Sequence, residues 1–230
     1  MTNKIFYQLF EKSSSTYTYI IADKETMNAV IIDPVIETLQ RDLDILKENN
    51  LNLKYILETH IHADHITSAS KLKEITKAKL VYGKNTNLNC ADLLLDEDEQ
   101  LILDSIKIKS ILTPGHTNGC TTYKIDNMLF TGDTLLINSC GRTDFQQGDS
   151  KKLFESISKL YKLEDSTIVY PAHNYNGITH TTIELQKKFN HFLKLNTTQE
   201  EFIDAMNKRD LPLPKKIKES VPANINCGNC

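Results

Sequence analysis

The sequence predicts an α/β protein in which two β-sheets face each other between layers of helices. Strand-like segments dominate the first two thirds of the 230 residues, and helical segments lie between sets of strands, an order typical of a layered sandwich. The composition, with 40% hydrophobic and 25% charged residues, is that of a globular protein. We find no repeat or linker and expect one domain over 1–230, with a short helical extension at about 179–230.

The first half of the chain predicts strands and helices in alternation. Runs rich in β-branched and aromatic residues, bounded by turn residues, predict strands, and leucines repeated at helical spacing predict helices. Asp33 precedes a proline, which favours extended backbone and ends the second strand. The predicted strands are 17–22, 29–32, 55–59 and 79–82, and the predicted helices are 38–49 and 67–76.

The second half predicts a further set of strands and three helices. Alternating apolar and polar residues over 102–112 predict strand structure with one buried face. Asp126 and Asn127 supply a hairpin turn, and Thr198 with Glu201 has the form of a helix capping box. The predicted strands are 102–112, 121–125, 128–130 and 167–170, the predicted helices are 152–161, 179–195 and 199–208, and Pro212 and Pro214 are expected to end regular structure.

A short loop carries four metal-ligand side chains within six positions. His60, His62 and His65 are three of the seven histidines in the chain, and Asp64 lies among them. The cluster follows the predicted strand 55–59, and alternation along an extended backbone sends His60 and His62 to the same side. Strand ends that open into loops are where α/β sheets place their chemistry. We therefore predict a metal site at this end of the sheet.

Three other predicted strand ends carry side chains of the same kind. His116 follows a strand and a tight turn, Asp133 follows a strand that ends in glycine, and His173 closes a third strand. Each alone would more often be a hydrogen-bonded structural residue or a turn former than a ligand. Because strand ends at one edge of a sheet can converge, the four segments together predict one shared site. His180 and His191 lack this context and are assigned to the surface or to packing.

A known family carries these motifs in the same order. Asp33, the histidine loop, His116, Asp133 and His173 resemble all five motifs of the metallo-β-lactamase superfamily. The resemblance covers nearly the whole chain, and this combination of motifs is highly specific. It implies an αββα sandwich of two mixed β-sheets flanked by helices, with the metal site at the sheet edge. It also implies that Asp33 supports the site rather than coordinating the metal.

Three further segments favour one branch of that superfamily, the persulfide dioxygenases. The segments 140–148, 170–177 and 221–224 closely resemble that group. The resemblance implies oxidation of glutathione persulfide with O₂ to sulfite and glutathione. In that group the counterparts of His60, His116 and Asp133 hold one Fe(II) ion per chain. The counterparts of the other ligand types persist without holding a second metal: His62, Asp64, His65 and His173.

The chemistry of this ligand set suits the reaction. Two histidines and one carboxylate on one face of Fe(II) leave three positions open, so a persulfide sulfur and O₂ can meet there. We predict that Arg142 binds a glutathione carboxylate through its planar fork, rather than forming a surface salt bridge of little worth. Tyr175 is a candidate to hydrogen-bond the substrate, with a position in the core as the alternative.

The alternative function is that of glyoxalase II, a thioester hydrolase that also acts on glutathione conjugates. Its site holds two ions of zinc, iron or manganese, and a bridging hydroxide attacks the thioester carbonyl. Every ligand that it needs is present, so the ligand inventory leaves this function open. Gln146, Gln147 and the short C-terminal region argue against it. A non-catalytic module with a structural metal is disfavoured, because structural sites are coordinatively closed.

Charge and hydropathy bear on partners and location. The net charge of −3 gives no electrostatic reason to expect nucleic acid or an anionic membrane as a partner. The sequence starts without a secretory apolar segment and has no apolar run of 18 residues, so we expect a cytoplasmic protein. Resemblance to the family suggests a homodimer.

The five cysteines are odd in number and widely spaced, which predicts reduced thiols rather than a disulfide framework. Cys227 and Cys230 form a C-x-x-C pair near the end of the chain, which is only a weak indication of a redox or metal role. Cys140 lies close to Arg142 in sequence and is expected to pack rather than to act as a nucleophile.

Overall fold

Two mixed six-stranded β-sheets form the centre of the molecule. The computed structural model describes residues 3–173, 175 and 177–229, and none of the helices within that part of the chain is long and apolar enough to cross a membrane. Side by side in the first sheet lie β1 (Lys4–Glu11), β2 (Thr16–Asp23), β3 (Asn28–Ile32), β4 (Asn52–Leu57), β5 (Lys79–Gly83) and β6 (Leu93–Leu95). The second sheet consists of β7 (Gln100–Leu103), β8 (Ile106–Leu112), β9 (Thr121–Ile125), β10 (Met128–Gly132), β11 (Ile168–Pro171) and β12 (Thr181–Thr182).

Helices cover the outer face of each sheet. They are α1 (Leu39–Glu48), α2 (Ala69–Thr76), α3 (Ser150–Leu160), α4 (Ile183–Phe189), α5 (Gln199–Asn207) and α6 (Ile217–Ile225). Side chains of adjacent strand residues point to opposite faces, so Ile20 and Ile31 pack under α1 and α2, whereas Ile21 and Ile32 enter the core between the sheets. A third apolar cluster joins the second sheet to α3 and α5. The predicted αββα sandwich is therefore confirmed.

The edge that carries the site is formed where parallel strands end. β3, β4 and β5 are parallel neighbours in the first sheet, and β10 and β11 are parallel in the second. Backbone hydrogen bonds tie the two sheets at this edge, from Thr121 N to Thr59 O (2.8 Å) and from Tyr17 N to Ala172 O (2.7 Å). The residues that follow β4, β10 and β11 are thereby brought together.

Most of the predicted strands and helices are confirmed with ends shifted by a few residues, but the segment 102–112 is not one strand. It divides into β7 and β8, because Asp104 adopts a φ of 52° in a tight turn between them. Ile102, expected on the buried face, is 50% exposed, while Ile106 is buried. The buried positions change from 101 and 103 to 106 and 108 at the turn, whereas the apolar residues at 102, 106 and 108 suggest one continuous alternation in the sequence.

The helix predicted over 179–195 is also wrong in extent, since it is only α4. Thr181 pairs with Val169 as strand β12, and the Thr182 hydroxyl caps the helix by accepting the N–H of Leu185. Asn190 ends it, because its side chain accepts the N–H groups of Phe192 and Leu193. Local side-chain hydrogen bonds thus compete with helix continuation at both ends.

Regular structure continues beyond the prolines at 212 and 214, contrary to the prediction. Helix α6 follows them and contains Pro222 six positions into its span. The helix is kept in place by tertiary contacts rather than by its own sequence pattern, as the hydrogen bonds of Asn224 to the histidine loop show.

The prediction of reduced cysteines is wrong for Cys90 and Cys227, which form a disulfide across 137 residues of sequence. Helix α6 brings Cys227 beside the loop after β5, with the two Cα atoms 6.1 Å apart. Cys120 and Cys140 are buried free thiols. Cys230 lies outside the described residues, so the predicted C-x-x-C pair is not described as a unit. Sequence spacing could not indicate a pairing between segments so far apart.

Candidate metal centre

His60 is the first histidine of the loop after β4, and a chain of hydrogen bonds fixes its ring. The Asp33 carboxylate accepts the backbone N–H of Thr59 at 2.7 Å and its hydroxyl at 2.8 Å. Because the hydroxyl proton is given to Asp33, the Thr59 oxygen accepts from Nδ1 of His60, 2.9 Å away. Burial and the nearby His62 hold the pKa of His60 well below its usual value. The ring is therefore neutral and presents Nε2 with a free lone pair.

His116 follows β8, and its ring is fixed by the opposite wall of the site. Its Nδ1 donates to the backbone oxygen of Arg142 at 2.7 Å, which leaves Nε2 free as a ligand atom. Gly141 lies flat against this ring, since a Cβ there would be 2.8 Å from Cγ of His116 and 2.5 Å from the backbone oxygen of Asp133. Only glycine lets this wall approach so closely.

Asp133 follows β10 and lies between two histidines. Gly132 before it has a φ of 53°, and a Cβ there would lie 2.4 Å from Oγ1 of Thr59, so the turn requires glycine. Oδ2 of Asp133 lies 3.6 Å from Nε2 of His116, and Oδ1 lies 3.4 Å from Nε2 of His173. The carboxylate thus reaches the centre of the site from the second sheet.

The three predicted iron ligands form one cluster that fits a metal ion. One ligand atom from each of His60, His116 and Asp133 lies within 4.8 Å of the other two. Within the described part of the chain, Oδ1 of Asp133 is buried without a hydrogen-bond donor. An orphaned carboxylate oxygen beside two bare imidazole nitrogens is a donor set for a divalent cation. The structure therefore brings together the residues that the sequence selected.

His62 lies behind this cluster, held by two buried carboxylates. Its Nε2 is 3.1 Å from Glu58 and 3.3 Å from Asp33. Burial opposes a charge on this ring, but the carboxylates of Asp33 and Glu58 outweigh it and raise the pKa of His62 well above its usual value. Asp33 thus contacts both His62 and Thr59, the residue that bonds His60. We call the hydrogen-bonded chain Asp33–Thr59–His60 the His60 relay. These contacts are in keeping with the supporting role predicted for Asp33.

A second group of ligand types lies beside the first. His62, Asp64 and His65 offer ligand atoms within 4.8 Å of one another. Nε2 of His65 is buried with no hydrogen-bond partner among residues 3–173, 175 and 177–229. His173 donates from Nδ1 to the backbone oxygen of Ser15 (3.3 Å), and its Nε2 lies 3.7 Å from Asp64. This group supplies what a second metal ion would need, so geometry alone accommodates one ion or two.

A cavity of about 560 Å³ opens from the cluster toward the surface. That volume lies in the range of sites for ligands the size of a tripeptide. Its wall combines the metal cluster with apolar side chains and two arginines. Lining residues include His60, Asp64, His116, Asp133, Leu136, Arg142, Phe145, His173, Tyr175, His191, Arg209, Leu211 and Pro212.

The two predicted substrate-binding residues both line this cavity. Arg142 bonds the carboxylate of Asp144 through Nε (2.6 Å) and Nη2 (2.5 Å), and it also donates to the backbone oxygens of residues 211 and 212. Tyr175 is 70% exposed and stacks on His173 with ring centroids 5.6 Å apart, so it is not a core tyrosine. The binding roles of both residues stay predictions.

Cys140 is fully buried beneath the cavity wall. Burial raises the pKa of its thiol to about 12, so the thiolate that a nucleophile requires is not formed near neutral pH. Its sulfur lies 3.7 Å from that of Met206. Cys140 therefore has the packing role that was predicted for it.

Two residues whose roles were not predicted, Asn224 and Gln146, hold the histidine loop from distant parts of the chain. Asn224 in α6 donates to the backbone oxygens of His62 and His65, both at 2.8 Å, and accepts the N–H of Thr67 at 3.0 Å. Gln146 donates to the backbone oxygen of Ile61 at 3.0 Å. The resemblance of segments 140–148 and 221–224 was the only signal that pointed to these residues.

Asn224→Asp tests whether the hydrogen bonds from Asn224 to the histidine loop support metal binding. The acid keeps the acceptor for Thr67 N but places a carboxylate against two carbonyl oxygens, so we expect metal affinity about tenfold weaker, the lower end of effects seen for supporting residues. Asn226→Asp is the matched control, because Asn226 is exposed and, within the described part of the chain, its side chain bonds only the Pro222 backbone oxygen. Equal metal affinity in the two variants, measured by chelator competition, would show that the Asn224 hydrogen bonds do not support metal binding.

Comparison with known proteins places this site in a family. A model described as the metallo-beta-lactamase superfamily matches residues 13–173, which contain every predicted ligand. The chain belongs to the metallo-beta-lactamase superfamily. Within it, "Persulfide dioxygenase ETHE1, mitochondrial" of Mus musculus is 42% identical over 96% of this chain and 87% of the relative.

Two other relatives refine the comparison within the superfamily. The crystal structure of ETHE1 from Myxococcus xanthus is 42% identical, with a TM-score of 0.95 over 97% of this chain and 99% of that one. "Glyoxylase B2" of Dictyostelium discoideum is 34% identical over 99% of this chain and 92% of the relative. Similarity is thus higher to the proteins called persulfide dioxygenases than to this glyoxylase.

Proposed function

We propose that the protein is a persulfide dioxygenase that oxidises glutathione persulfide with O₂ at a single Fe(II) ion. Identity of 41–42% over 96% of the chain to the persulfide dioxygenases of mouse, cattle and human carries this proposal, since the fold alone is shared by other activities. The reaction balances as GSSH + O₂ + H₂O giving GSH and sulfurous acid. The outer sulfur loses four electrons, and O₂ accepts them.

The residues at the sheet edge fit the iron. His60 and His116 would bind through Nε2, and Asp133 would bind through its carboxylate and offset part of the metal charge. A ferrous ion held there supplies open coordination positions for the persulfide sulfur and O₂, and the one-electron chemistry that triplet O₂ requires. The hydrogen bonds to Thr59 and Arg142 fix both rings before any ligand arrives, which preorganises the site.

The cavity wall binds and orients the rest of the substrate. Leu136, Phe145 and Leu211 line it with apolar surface, which excludes water from the reacting sulfur and strengthens polar contacts inside. Tyr175 lines the cavity with its ring stacked on that of His173, and its hydroxyl can hydrogen-bond the glutathione chain. The wall thus suits a flexible polar thiol with an apolar contact near the metal.

The thioester hydrolase of the glyoxalase II type is the competing function. It is favoured by one observation, the ligand group of His62, Asp64 and His65 beside the first cluster. With Asp133 shared between the groups, two ions could flank a hydroxide that attacks a thioester carbonyl. We favour the dioxygenase because the relatives of that name are more similar to this chain.

Metal content and product analysis test the proposal. Protein purified from iron-supplied cells should contain about one iron per chain, as a 2-His-1-carboxylate site predicts. It should release one sulfite for each O₂ consumed with glutathione persulfide. Two zinc ions per chain and no sulfite would contradict it. The cytoplasmic location and the homodimer stay predictions.

A further inference from the structure

Two arginines, Arg142 and Arg209, line the cavity, and they differ in whether a carboxylate of the protein pairs with the guanidinium. Arg142 is neutralised inside the protein, because Nε and Nη2 both bond the Asp144 carboxylate, at 2.6 and 2.5 Å. Its other hydrogen bonds to the described residues go to the backbone oxygens of Leu211 (2.9 Å) and Pro212 (2.6 Å), and its guanidinium lies 4.9 Å from the centre of the Phe145 ring. The fork of Arg142 therefore holds the outer wall of the cavity and has little left for a ligand.

Arg209 forms no such ion pair with the described residues, and the Asp144 carboxylate interacts with its charge only from beyond ion-pair distance. Its Nη1 donates to the backbone oxygens of Cys140 (3.0 Å) and Gly141 (3.4 Å) and approaches the sulfur of Met206, all of them neutral groups. Across the described residues, no carboxylate oxygen lies within 4.0 Å of this guanidinium, and Nε and Nη2 make no hydrogen bond. Arg209 is half-buried and lines the cavity, and among the described residues only neutral groups replace the hydration that its charge has lost.

Arg209 is also held at a defined position relative to the metal cluster. Its guanidinium stacks on the ring of Phe192 at 4.6 Å, which fixes the plane of the fork. The loop that it bonds includes Gly141, which lies against His116 and the backbone of Asp133. A ligand group bound by Arg209 would therefore stand at a fixed distance from a sulfur at the metal.

We propose that Arg209 binds a carboxylate of the thiol that carries the substrate sulfur. A planar guanidinium with two free donors matches a carboxylate, and glutathione bears two carboxylates. Arg209 then selects persulfides of acidic thiols over uncharged ones, in place of the direct role predicted for Arg142. The assignment rests on the proposed function, because it concerns the substrate of the same site.

The test compares two substrates and three variants. KM and kcat are measured with glutathione persulfide and with the persulfide of glutathione diethyl ester, which lacks both carboxylates. We expect Arg209→Gln to raise KM for the acid at least tenfold while changing KM for the ester less than twofold, because the loss is of uniform binding. Arg209→Lys keeps the charge without the fork and should fall between. Lys208→Gln, one residue away and exposed, should match the wild type.

Each alternative result has a defined meaning. If Arg209→Gln raises KM equally for glutathione persulfide and for its diethyl ester, Arg209 has a structural role and the proposal is overturned. An unchanged KM for glutathione persulfide would also overturn it. If the wild type consumes no O₂ with either persulfide, the proposed function fails, and Arg209 is judged by calorimetric binding of glutathione itself. A tenfold weaker Kd in Arg209→Gln would then uphold the carboxylate site, and an unchanged Kd would refute it.

Discussion

Asp133→Asn should leave the protein folded, without bound iron and without O₂ uptake. The substitution keeps the shape of the side chain and removes the only negative charge in the three-ligand set. Loss of a direct ligand is expected to exceed the roughly 10–100-fold effect of removing a supporting residue. Iron per chain, measured by elemental analysis, should fall from about one to near zero. The thermal unfolding midpoint distinguishes metal loss from unfolding.

His65→Asn is the informative companion to that variant. Nε2 of His65 is buried without a partner among the described residues and faces the second ligand group, so a two-metal site would depend on it. The one-iron account expects His65→Asn to keep about one iron per chain. A wild type with two metal ions that falls to one in this variant would contradict the assignment of His60, His116 and Asp133 as the complete set.

Thr59→Val should weaken iron binding by about 10–100-fold with little change in shape, because it removes a supporting hydrogen bond. The valine keeps the backbone N–H bond to Asp33 but deletes the hydroxyl that links this carboxylate to Nδ1 of His60. His60 is then free to turn or to carry its proton on Nε2, which is the ligand atom. Competition with a chelator of known affinity measures the loss.

Thr122→Val is the matched control for Thr59→Val. The Thr122 side chain, in β9, is equally buried, but its hydroxyl bonds that of Thr113 (3.1 Å) rather than a histidine of the metal cluster. We expect it to reduce stability by about 1–3 kcal/mol, as loss of a buried hydrogen-bond partner does, and to leave iron affinity unchanged. Wild-type affinity in Thr59→Val would show that the relay does not hold the ligand.

The placement of the site could be predicted because it follows from the sheet. Each of His60, Asp133 and His173 comes after a strand with a parallel neighbour, and the ends of parallel strands meet at one edge. His116 joins them because β8 ends at the same place. Short apolar runs with polar residues directly after them are visible in one dimension, so these positions did not require a structure.

The residues that complete the site could not be read from local patterns. Arg209 and Asn224 act on loops 69 and 159 residues away in the chain, and periodicity carries no information on such contacts. His191 is exposed, as predicted, but its place in the cavity lining beyond the end of α4 could not be predicted. The Cys90–Cys227 pairing was missed for the same reason, since only the docking of α6 brings the two cysteines together.

O₂ consumption by the iron-loaded protein with two glutathione substrates tests the central claim most directly. The electrode should record rapid O₂ uptake with glutathione persulfide and none with S-lactoylglutathione, whose thioester absorbance should remain constant. Rapid hydrolysis of S-lactoylglutathione without O₂ uptake from either substrate would contradict the dioxygenase and establish the thioester hydrolase.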